Sequence, residues 1–194
     1  MYQFVLTNGV YPRREAVIAA IKEYFQQRGW TVITPARNYS GMMSVIQHIP
    51  ADDYMRRIEE FKRLANLMHD GSIREREVLE QTKDDKIIII HDSGICDLFA
   101  YARLDPKLDE GWFLEDLVSK SKDVGYNAVF QVKSYEGAEH TQFGQPVAMD
   151  EVRRIEKDAA RAWLKSEIPF TQVIMGDFDL NLAALLKEME SKIS

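Results

Sequence analysis

The chain has 194 residues, 45% of them hydrophobic, and carries 25 Lys and Arg against 31 Asp and Glu for a formal net charge of −6. That length supports one sizeable core and requires no second domain, so a single domain over 1–194 is expected, and the acidic balance speaks against a general nucleic-acid or anionic-membrane surface. Cys96 is the only cysteine, which leaves no intrachain disulfide and no cysteine cluster for zinc, and no charged leader or apolar run of ~20 residues is present, so a cytoplasmic protein without a membrane span is expected.

In chain order, Gln3 to Thr7 is a short β-favouring run, and Val17, Ile18, Ile21, Tyr24 and Phe25 then recur at helical spacing. Gly29 is a plausible stop for that helix, and Thr31 to Thr34 makes a second strand ended by Pro35. Tyr54, Met55, Ile58, Phe61, Leu64 and Met68 mark an amphipathic helix, which Gly71 is expected to break. Ser72 with Glu75 would form a capping box for a further helix running to about Thr82.

Lys86 to His91, KIIIIH, is the clearest strand, because four isoleucines without alternation imply burial on both faces, as in the centre of a parallel sheet. Asp92 follows it, and the segment from Ser93 to Tyr101 turns into a short helix. Trp112 to Val118 indicates another helix, Tyr126 to Val132 a fourth strand, and Lys133 to Pro146 a long polar loop. Asp150 to Lys165 is a helix with Val152, Ile155, Ala159 and Ala162 on one face and charges on the other, Thr171 to Met175 is the fifth strand, and Leu182 to Ile193 closes the chain as a helix. The alternation predicts a three-layer α/β domain, a five-stranded, mainly parallel sheet with helices on both faces.

Asn8 to Glu15 fill the strand-to-helix turn in which nucleotide-binding proteins hold phosphate. A Walker A loop in this frame needs glycine at positions 8 and 13, lysine at 14 and Ser or Thr at 15, whereas the chain has Asn8, Arg13, Arg14 and Glu15, with Gly9 as the one glycine. Arg13 and Arg14 at a helix start suit an anion. Glu15 opposes one, since a carboxylate ~4 Å from a phosphate oxygen costs about 1 kcal/mol even in water, a sign that a bound metal would reverse.

The order of Phe4-Val5-Leu6-Thr7, of Ile87 to Asp92 with Gly94, Asp97 and Tyr101, of Tyr126 to Phe130 with Gly137-Ala138-Glu139, and of Trp163 resembles the small single-domain AAA-type P-loop ATPases related to nicotinamide riboside kinase-like domains. The resemblance runs over nearly the whole chain. It implies strand order 2-3-1-4-5, a helical lid, and Asp92 as catalytic and metal-orienting carboxylate. Arg37, Ser93 and Gln145 depart from it, as does the loop, standing where an acidic residue, a basic residue and a lid arginine are expected.

Two functions follow. One is a degenerate P-loop NTPase-like protein that lacks ATP hydrolysis and acts as a binding or interaction module, with Gly9, Arg13, Arg14, Glu15 and Arg37 around a small anionic ligand, or with a protein partner. The other is an ATP-dependent kinase or ATPase with an arginine-containing loop, using Mg and ATP. Losing lysine, hydroxyl and glycines together favours the first. An aspartyl-phosphate phosphatase would need a second Asp where Gly94 stands. Cys96 is expected to be a buried thiol rather than a nucleophile, His91 a packed strand-end residue rather than a base, and Asp97 and Tyr101 helix-packing residues.

Overall fold

The computed structural model describes residues 1–7, 14–35, 46, 48–50, 52–82, 85–103, 110–133, 141–142, 145–146, 148–174 and 178–193. Along the chain lie β1 (Tyr2–Thr7), α1 (Arg14–Gln26), β2 (Thr31–Ile33), α2 (Tyr54–Glu80), β3 (Ile87–His91), α3 (Asp97–Ala102) and α4 (Glu110–Val124). The second half holds β4 (Ala128–Lys133), β5 (Thr141–Gln142), β6 (Gln145–Pro146), α5 (Met149–Lys165), β7 (Phe170–Ile174) and α6 (Phe178–Glu190).

Five strands form one all-parallel sheet in the order β2-β3-β1-β4-β7. Counting sheet strands alone, this is the expected 2-3-1-4-5. Every residue of β3 is buried, which is what its isoleucine run demands of an interior strand covered on both faces. Phe4 and Leu6 of β1 pack with Val17, Ile21 and Phe25 of α1 and Leu185 and Met189 of α6 on one face. On the other, Val5 packs with residues of α2, α3, α4 and α5, among them Phe61, Phe99, Leu117 and Trp163. The three layers are therefore α1 and α6, the sheet, and the four helices α2 to α5.

Gly29 does end the first helix region, with φ +78, a left-handed backbone that other residues enter at a cost. The expected break at Gly71 is a correction. α2 runs unbroken through it for 27 residues, and Ser72 caps nothing: it is buried, and its hydroxyl donates to the Met68 carbonyl at 2.8 Å. A single mid-helix glycine costs only about 1 kcal/mol, less than the Phe61, Leu64 and Met68 stripe gains by docking as one rod. The stretch expected to be a polar loop carries the small antiparallel pair β5 and β6, with Thr141 opposite Pro146. No helix among the described residues is long and apolar enough to cross a membrane.

Candidate functional site

β1 and β3 are neighbours, yet the chain leaving β1 enters α1 on one face while the chain leaving β3 enters α3 and α4 on the other. Opposite departures from adjacent parallel strands open a crevice outside their carboxyl ends, where α/β sheets bind ligands. Asp92 follows β3 and Arg14 opens α1, so the topology brings both to this crevice. They meet directly. Arg14 Nε and Nη2 grip the two carboxylate oxygens of Asp92, and Nη2 also donates to the Asp92 main-chain carbonyl at 3.1 Å. Burial pushes the Asp92 carboxyl above its ordinary value, against the downward pull of the Arg14 hydrogen bonds and charge.

Behind the clasp lies a second polar group, on the α2–α5 side of the sheet. Asp97, the first residue of α3, is buried, with one carboxylate oxygen accepting from the Thr7 hydroxyl and from Trp163 Nε1 at 2.7 Å. Its other oxygen accepts from the Gly94 amide at 2.9 Å and the Ser93 hydroxyl at 3.1 Å. Burial raises this carboxyl, while the four donors, Thr7 first, pull it back. The network ties the end of β1 to the loop after β3 and to α5. Gly94 is required by it, because a Cβ there would meet the Trp163 ring, with Cη2 at 2.6 Å, and Val5 Cγ1 at 2.9 Å.

Of the anticipated site residues, Arg14 and Asp92 are brought together, and Glu15 stands exposed in the first turn of α1. Gly9, Arg13 and Arg37 lie outside the described residues. Ser93 serves Asp97, and His91 is packed, its Nε2 3.0 Å from Gln3 Oε1 and its ring edge-on to Tyr126. Burial pushes the Cys96 thiol up to about 12, with Ser121 Oγ 3.2 Å away, so at neutral pH it is inert as a nucleophile. Both Asp92 carboxylate oxygens are engaged by the Arg14 fork and Thr7, the strand-end hydroxyl of β1, is turned to Asp97, so neither is poised for a resident magnesium in this arrangement. Among the described residues no cluster of three or more His, Cys, Asp or Glu is placed to hold a metal.

The chain matches no protein-family model and no curated protein.

The Thr7–Asp97–Trp163 network is hard to read from sequence, because an Asp opening a helix is common. Its signal is nonetheless present in Ile95-Cys96-Asp97-Leu98-Phe99-Ala100, where one carboxylate sits in an apolar run. Such a group is buried only with partners.

Proposed function

We propose that the protein is a P-loop NTPase-like binding module that holds an anionic ligand at the β1–β3 crevice without turning over a nucleoside triphosphate. The supporting observation is the Arg14–Asp92 clasp. Phosphoryl transfer relies on positioned cations and metal rather than on covalent chemistry by the protein. A carboxylate engaged by a guanidinium fork is not poised to orient a metal, while an arginine at a helix start becomes an anion site once a ligand competes for its fork. The absence of lysine at 14 and of a hydroxyl at 15 agrees with this.

The test is a magnesium-dependent ATP and GTP turnover assay on the purified chain, with Asp92→Asn in parallel. No turnover by either protein is expected. Wild-type turnover on the order of 1 per second, abolished by Asp92→Asn, sinks the proposal and restores an active kinase or ATPase.

A further inference from the structure

A cleft of about 700 Å³ lies away from the crevice, between α5 and the β4–β7 side of the sheet. That volume is typical of sites for nucleotide-sized ligands. The sheet wall is polar where a core-facing wall would be apolar: Gln131 pairs in register with Gln172, and Lys133 ends β4. Gln172 Nε2 donates to Gln131 Oε1 at 2.8 Å, and Gln131 Nε2 donates to the Glu156 carbonyl at 2.7 Å, so the amides are fixed in place. Across the cleft, α5 presents Arg153, Lys157 and Arg161, all exposed and four residues apart.

In a chain of net charge −6, the two walls together line the cleft with four cations, Lys133, Arg153, Lys157 and Arg161, and one acid, Glu156. The three on α5 rise ~6 Å per step along the axis, so their stripe spans ~12 Å. Leu164, 62% exposed, adds an apolar floor at the far end.

We infer that this cleft is a second binding site, for a small molecule carrying two or more phosphate groups in a row. Arginine forks pair with phosphate oxygens two at a time, lysines supply point charge, and the exposed Gln172 amide, held by the buried Gln131, offers orientation on the facing wall. The inference is independent of whether the crevice binds or turns over anything.

The probe is inorganic tripolyphosphate, titrated calorimetrically into the full chain at low salt and without divalent metal. Saturable binding is expected to persist in an Arg14→Gln background that silences the crevice, and in that background to be weakened at least tenfold by Arg153→Glu with Lys157→Glu and several-fold by Lys133→Gln on the opposite wall. Thermal melts of each variant check that it folds. Should the double variant fail to fold, Lys133→Gln and Lys157→Gln decide, and binding unchanged in both overturns the site. So does the absence of saturable binding in the Arg14→Gln background, which would confine the phosphate to the crevice.

Discussion

Asp97 holds its place by four donors, so its ionisation is set by a contest between burial and hydrogen bonds. Burial wins, and the carboxyl lies above its ordinary value near 3.8. A raised folded value favours the protonated form in the fold. Stability from this group is therefore full below the unfolded value and lost as pH rises through the folded one. Measured against Asp97→Asn, which does not titrate, the wild type should lose ground as pH climbs above about 4 and then level off. Urea unfolding at stepped pH reads the difference, and a wild type that gains ground instead would show that the donors outweigh burial. The adjacent Gly94 gives a sharper stability test. Gly94→Ala pushes a methyl into Trp163 and Val5, both rigid and buried, and should cost about 1–3 kcal/mol. A loss under 0.5 kcal/mol would mean that the indole can move aside.

At the scale of elements, legibility followed burial. β3 was plain because its isoleucines face core on both sides, and α1 because Val17, Ile21 and Phe25 form one stripe. The continuity of α2 is not legible because glycine is a local signal, while a 27-residue rod depends on what its apolar face docks against. The β5–β6 pair was hidden for the opposite reason: strands of two residues leave no period to detect. The reading of α2 as one helix has a direct consequence. Gly71→Ala should stabilise the protein by about 0.5–1 kcal/mol, since alanine loses less backbone freedom within a helix. If the chain broke at Gly71 in a left-handed turn, the same change would destabilise it, and denaturant unfolding distinguishes the two by sign.

For the whole molecule, the sheet order puts the carboxyl ends of β1 and β3 side by side, and the place of Asp92 just after β3 is legible from the alternation of strands and helices. The clasp is not, because Arg14 and Asp92 are 78 residues apart and each alone is compatible with open solvent. On the proposed reading, the frame is intact and the chemistry is withheld by a few side chains. Replacing Asn8→Gly, Arg13→Gly, Arg14→Lys and Glu15→Thr together supplies the residue types that wrap phosphate and reach magnesium. It also dissolves the clasp, because a lysine ammonium is a point charge that does not span both Asp92 oxygens as a guanidinium fork does. This variant should bind ATP with magnesium, seen as stabilisation of about 2.7 kcal/mol at a hundred times the dissociation constant. Adding Asp92→Asn should weaken the magnesium-dependent part and spare binding of metal-free nucleotide. Turnover should remain absent in both, since Ser93 and Gln145 bring no cation to the transferring phosphate. A quadruple variant that binds nucleotide no better than the wild type would show that the β1–β3 crevice is not a phosphate site, whatever its likeness in sequence.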